Sequence, residues 1–172
     1  MASGDWMHFN LDLLKILLPG LIVWLLFAVP LSAQEKVTLG TVEEVILLPW
    51  GVKLKARIDS GAATTSLTAR DLRVVDKTAE FTLPADSGDL ELKLPVKRWV
   101  RVKSALGYQR RPVVDLDLCI GPKRVTVRAN LTDRSHLKYP LLIGRNTLKS
   151  DFVIDCTQNM CAPPQCPETS RK

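Results

Sequence analysis

The sequence has little of what most enzyme chemistries require. Its 172 residues hold two histidines, His8 and His136, and neither stands in a His-Glu-x-x-His spacing, so nothing supports a zinc centre and no metal ligand is assigned. No Gly-x-x-x-x-Gly-Lys loop is present to cradle a nucleotide phosphate. Ser60 and Ser66 lack the Gly-x-Ser-x-Gly elbow of a serine hydrolase and have only His136 as a conceivable base. No cofactor is expected. The chain also lacks internal repeats and low-complexity linkers, and few of its segments carry a helical period.

One long apolar run is present. Residues 16–34 carry no charge and include Leu21-Ile22-Val23-Trp24-Leu25-Leu26-Phe27, which reads as an export signal or a membrane anchor. Leu31-Ser32-Ala33 offers the small residues of a cleavage site, and we expect cleavage after Ala33. The run is also long enough to span a bilayer, so inner-membrane attachment through residues 16–33 is the alternative. Either way the remaining 139 residues (172 less 33) are expected in a bacterial periplasm. They hold 23 basic and 16 acidic residues, a net +7. That balance suggests an anionic partner such as an acidic or cell-envelope peptide, and nucleic acid is not expected outside the cell.

Alternation dominates the exported part. Strands are expected over 41–48 and 52–58 with a turn at Pro49-Trp50-Gly51, and another at 64–67. A hairpin is expected around Asp86-Ser87-Gly88-Asp89, and a second one around Gly107 between 99–103 and 113–118. Further strands are expected at 125–131, 140–144 and 152–154, with one helical turn at 146–149. Many short strands separated by turns imply a small β-barrel or sandwich, here one domain over 34–155 with a loose Cys/Pro-rich tail at 156–172. Cys119 reads as a buried strand thiol. Cys156, Cys161 and Cys166, five apart, would give one disulfide and one leftover thiol.

Two stretches carry the chemistry. The alternating strand Val52 to Ile58 stops at Asp59-Ser60-Gly61-Ala62, a turn able to aim a carboxylate out of the fold edge, although Asp-Ser-Gly is also an ordinary turn sequence. Leu141-Leu142-Ile143-Gly144-Arg145-Asn146 follows, with Gly144 85 residues after Asp59. Together they resemble the retropepsins, in which an Asp-Thr/Ser-Gly-Ala loop is followed by an apolar-apolar-Gly-Arg-Asn segment opening a short helix. Arg111-Pro112-Val113-Val114, Asn130-Leu131-Thr132-Asp133-Arg134 and Tyr139-Pro140 look more like one bacterial branch, which bears the inherited name ATP-dependent zinc protease and includes the RimB proteins.

The resemblance implies a small closed β-barrel of the acid-protease type with one short C-terminal helix. It also implies an aspartic endopeptidase that works as a homodimer, because the chemistry needs two carboxylates about 3 Å apart and this domain supplies one. Asp59 would be the catalytic acid, with Ser60, Gly61, Ala62, Gly144, Arg145 and Asn146 supporting its loop and Ser60 bonding across the twofold axis. In retropepsins the arginine of the second motif braces an acid just after Gly-Ala. Ala63 stands there in this chain, so Arg145 needs another partner.

The branch's flap carries a Ser-Gly-Gly type turn, whereas this chain has Ser104-Ala105-Leu106-Gly107-Tyr108. Ser104, Gly107, Tyr108 and Arg111 are the candidate flap and substrate contacts, and the hairpin at 86–89 is the competing flap. The basic set Lys97, Arg98, Arg101, Lys103, Arg110 and Arg111, with Trp99 and Tyr108, is either a site for an acidic peptide or a solvated hairpin face. The alternative function is a non-catalytic envelope binding or scaffold module on the same fold.

Overall fold

The structure is a computed structural model, and it describes residues 35–86, 88–104 and 107–166. The apolar run expected to be a signal or anchor lies outside these residues, as do the last six of the tail. Among the described residues no helix is long and apolar enough to cross a membrane.

The chain is mostly strand. β1 (Val37–Leu39), β2 (Val42–Leu48), β3 (Val52–Ile58), β4 (Thr65–Thr68), β5 (Arg70–Val75), β6 (Thr78–Leu83) and β7 (Leu90–Pro95) are followed by β8 (Arg98–Ser104), β9 (Gly107–Ile120), β10 (Lys123–Thr132) and β11 (Leu141–Ile143). The helix α1 (Arg145–Asp151) and β12 (Phe152–Ile154) complete the order. In β2, Glu43, Val45 and Leu47 are buried while their neighbours are half-exposed, and in β3 Leu54, Ala56 and Ile58 point inward. This period-2 burial is what the alternating sequence dictates. β1, β5 and the first half of β9 escaped the sequence reading. β5 pairs with β6 through a tight turn at Asp76 and Lys77, both at positive φ, and β9 extends back to Gly107, through Arg110-Arg111-Pro112.

The main sheet closes on itself. Its order β10-β4-β11-β3-β2-β9 returns through the β9–β10 pairing, making a ring of six strands around Leu47, Leu67, Leu116, Leu118, Leu131, Leu141 and Ile143. Burying each such side chain contributes about 2 kcal/mol. β8 hangs on β9 as a hairpin outside the ring, β5-β6-β7 form a separate three-stranded sheet, and β1 pairs in parallel with β12. The ring places the chemistry. β11 inserts between β3, to which it is parallel, and β4, to which it is antiparallel. The end of β3, the start of β4 and the end of β11 therefore converge at one point, which is how residues 85 apart in sequence meet.

The tail is not loose up to Cys166. The Met160 N–H donates to the Val42 carbonyl (2.8 Å) and the Gln165 N–H to the Gly121 carbonyl (2.8 Å), so residues 155–166 lie along the start of β2 as a strap. Glu43, fully buried, accepts from the N–H groups of Gly40 (2.6 Å), Cys161 (3.3 Å) and Ala162 (3.1 Å). Cys119 is not a free strand thiol. It is bridged to Cys166, while Cys156 and Cys161 are free. Five-residue spacing within the tail misled the reading, because the tail folds back onto the end of β9 and meets Cys119 there.

Candidate active site

Asp59 follows the last residue of β3. Its N–H donates to the Ile143 carbonyl (3.0 Å), tying the loop to β11. Its own Oδ1 accepts from the N–H groups of Gly61 (2.9 Å) and Ala62 (3.2 Å), so the carboxyl is held by the turn that follows it. A Cβ on Gly61 would come within 3.1 Å of that Oδ1, which is why the turn is built around the smallest residue.

α1 closes the loop from behind. The Arg145 N–H donates to the Ala62 carbonyl (2.9 Å), and its Nη1 donates to the carbonyls of Ser60 (2.8 Å) and Gly61 (2.9 Å). The missing acid at Ala63 is thereby explained: the guanidinium braces the loop through backbone carbonyls. Asn146 works on the other side of the junction. Its Oδ1 accepts from the Thr65 N–H (2.7 Å) and Oγ1 (3.1 Å), and its Nδ2 donates to the Arg128 carbonyl (2.8 Å). Gly144 allows the approach. A Cβ there would meet Thr64 C at 2.6 Å and Thr64 O at 2.7 Å. Ser60, Gly61, Ala62, Gly144, Arg145 and Asn146 are thus brought together around Asp59.

The loop residues Gly61 to Thr64 floor a cleft of about 530 Å³, whose opposite wall is Val100 to Lys103 of β8 together with Arg111 of β9. Between the two competing hairpins, it is therefore β8–β9 that overhangs the Asp59 loop. The hairpin at 86–89 does not line the cleft: Asp86 lines neighbouring hollows, one with Lys138 and Tyr139 and one that shares Arg134 with the cleft, and Asp89 is paired to Arg70. Of the expected hairpin contacts, Arg111 lines the cleft. Gly107 opens β9 beyond it, and Tyr108 lines a separate hollow with Trp99 and Arg110. Ser104 ends β8, paired with Gly107.

Two residues left unassigned in the sequence complete the site. Asn130, buried at 2% exposure, donates from Nδ2 to Thr64 Oγ1 (3.1 Å) and the Thr65 carbonyl (2.8 Å). Its Oδ1 accepts from Arg111 Nη1 (3.1 Å) and Ser66 Oγ (3.1 Å), fixing the arginine against the loop. Arg134 also lines the cleft, is 9% exposed, and keeps its Nε buried without a hydrogen-bond partner among the described residues. Burial, and after it the Arg111 charge, pulls the Arg134 guanidinium below the usual arginine range, while the Asp59 carboxylate pulls it back up. Burial likewise lowers Arg111. Asn130 and Arg134 both lie in the Asn130 to Arg134 run that carries part of the resemblance, which was the available signal. Among the described residues no three His, Cys, Asp or Glu side chains sit close enough to hold a metal ion.

Comparison with known proteins identifies the family. Two bacterial proteins, each named a probable alpha-L-glutamate ligase, are 27% identical to this chain. The Shewanella halifaxensis protein matches over 143 residues, 77% of this chain and 31% of its own length, and the Shewanella pealeana protein over 139 residues, 75% and 30%. The chain thus spans about a third of these relatives. A solved Legionella pneumophila structure of unknown function superposes with a TM-score of 0.65 at 29% identity, covering 73% of this chain and 97% of its own. A family model described as retropepsin-like aspartic endopeptidase RimB matches residues 38–165. The chain belongs to this RimB-like retropepsin family.

Proposed function

We propose that the protein is an aspartic endopeptidase in which Asp59 carboxylates from two copies of the chain activate one water. The observation that carries this reading is the Asp59 loop itself. Its carboxyl is held at the turn by two N–H groups, the turn is braced by Arg145, and the cleft beside it is large enough for an extended peptide. One chain supplies one such loop. Two carboxylates about 3 Å apart share a proton because they cannot both ionise readily, so one acts as general base on water while its protonated partner polarises the scissile carbonyl. The tetrahedral intermediate then collapses as the leaving nitrogen takes a proton, releasing an amine and a carboxylate.

The substrate we propose is an acidic peptide. Arg101, Lys103, Arg111 and Arg134 all line the cleft, and carboxylates on the substrate would offset the desolvation of buried Arg134 and half-buried Arg111. That a domain like this one matches part of two proteins named alpha-L-glutamate ligases supports glutamate-rich chains as the class. Export to the periplasm through residues 1–33 belongs to the same proposal.

Asp59→Asn tests it. The variant should keep the fold and the dimer and lose about a thousandfold or more in cleavage of acidic peptides. Full activity in that variant, or a wild-type protein that stays monomeric by sedimentation and cuts no acidic peptide, would overturn the reading in favour of a binding module.

A further inference from the structure

The β8–β9 hairpin has two faces: the inner one lines the cleft, and the outer one meets the cleft at its edge through Arg101 and Lys103. Strand alternation and the register Trp99↔Pro112, Val100↔Arg111, Arg101↔Arg110 and Lys103↔Tyr108 put Val100, Val102 and Arg111 on the inner face. Trp99, Arg101, Lys103, Tyr108 and Arg110 share the outer one. The ring contacts confirm that grouping. The Arg101 guanidinium lies 4.3 Å from the Tyr108 ring centroid and that of Arg110 4.9 Å from the Trp99 ring.

This outer face is unusual in three ways. Arg101 and Arg110 stand directly opposite each other across the ladder, an apposition of like charges that costs stability. Each is turned onto a diagonal aromatic ring in a cation–π contact that restricts where the guanidinium sits. Among the described residues neither they nor Lys103 has a carboxylate within ion-pair distance, although Trp99 and Tyr108 remain 43% and 61% exposed. The hollow formed by Trp99, Arg101, Tyr108 and Arg110 measures about 470 Å³, and Val100 and Arg101 line both it and the Asp59 cleft.

We propose that this outer face is an exosite that binds an acidic polypeptide segment of the substrate away from the bond being cut. The proposal rests on the peptidase reading for its purpose, but not for its binding. Two arginines stacked on rings, with Lys103 beside them and no ion-pair partner among the described residues, supply the charge complementarity, and Val100 and Arg101 make the surface continuous with the cleft. A chain passing out of the cleft would therefore reach it without a gap. Continuity with a peptide cleft favours a polypeptide over a bilayer or a nucleic acid as the occupant.

The test uses the full chain carrying Asp59→Asn and a labelled oligo-aspartate probe, read by fluorescence anisotropy over a salt series. Adding Arg110→Gln together with Trp99→Leu should weaken binding about tenfold and flatten its salt dependence. Arg110→Lys should retain most of the affinity. Lys53→Gln with Lys55→Gln, on β3, which does not pair with the hairpin, should leave it unchanged. Equal binding by parent and hairpin variant, or an equal loss from the β3 pair, overturns the exosite. Tighter binding of a single-stranded oligonucleotide or of phosphatidylglycerol vesicles than of the peptide at matched charge overturns the choice of occupant. The two proposals fail separately: an oligo-aspartate site sensitive to Arg110 in a protein that cuts nothing retains the exosite and loses the peptidase, and the converse result does the reverse.

Discussion

Two glycines without room for a methyl group mark two clamps in this molecule, and the clamps are built from opposite materials. Gly144 lies against Thr64, and next to it Arg145 and Asn146 grip the Asp59 loop, the cation binding backbone carbonyls. Gly40 lies against Gln158, where a Cβ would meet the carbonyl oxygen at 2.5 Å, and beside it a buried carboxyl, Glu43, grips the strap through backbone N–H groups. The first clamp comes from consecutive residues and holds a loop whose tip stays open to the cleft. The second gathers Gly40, Glu43, Cys119 and Cys166 from distant places and holds a segment with no chemistry of its own. A functional loop is thus braced from one side and left accessible, while the strap is pinned along its length.

The comparison is broken most severely at Gly144. Gly144→Ala drives a methyl group into backbone on a buried strand end, and should cost about 4 kcal/mol in denaturant unfolding and abolish cleavage as well. Gly40→Ala should cost less, because the strap can lift while the ring of strands stays closed. Equal losses would mean that the two clamps are one cooperative unit.

Removing the bridge with Cys119→Ala and Cys166→Ala comes next. The disulfide closes a separation of 47 residues, and its loss should cost about 3 kcal/mol by thermal unfolding. Cleavage at temperatures well below the transition should be retained, since the Asp59 clamp shares no residue with it. Glu43→Leu follows at about 2 kcal/mol, because it leaves three backbone donors without their acceptor. Amide exchange at Cys161 and Ala162 should rise in that variant and stay slow at Thr65 and Gly144.

The same contrast explains what could be read in the sequence. The β3 alternation ending at Asp59 and the Gly144-Arg145-Asn146 run were legible because each is local, and the mostly β, retropepsin-like fold that they imply is the one observed. Arg145's partners were not legible, since a bond to a backbone carbonyl leaves no mark in the identity of the residues that supply it. The partner of Cys119 was hidden for a different reason: it depends on where a tail with few apolar residues folds back. Glu43 did leave a signal, an acid in register with Val45 and Leu47 on the inward face of β2. An acid at a core position is there to satisfy something, and here it satisfies the strap.

The smallest expected effect is at the head of the strap, and it depends on pH. Asp155 Oδ1 accepts from Thr157 Oγ1 (2.6 Å) and N–H (2.9 Å), and its Oδ2 accepts from Gln158 Nε2 (2.6 Å). These bonds, the Thr157 hydroxyl first, hold the Asp155 carboxyl below the usual aspartate range. A carboxyl whose folded value is depressed contributes stability that is fully present above its unfolded value and fades as the pH falls through the folded one. Acid should therefore loosen residues 155–158 only as the pH falls through that lowered value. Because Asp155 is only half-buried, solvent screens much of the effect. Thermal unfolding of wild type and Asp155→Asn, compared from pH 7 down to about pH 2, should show a small deficit for the variant at neutral pH that closes under acid. A deficit that persists at low pH would mean that the Asp155 contacts act through shape rather than charge, and would remove this one charged feature from the strap's fastening.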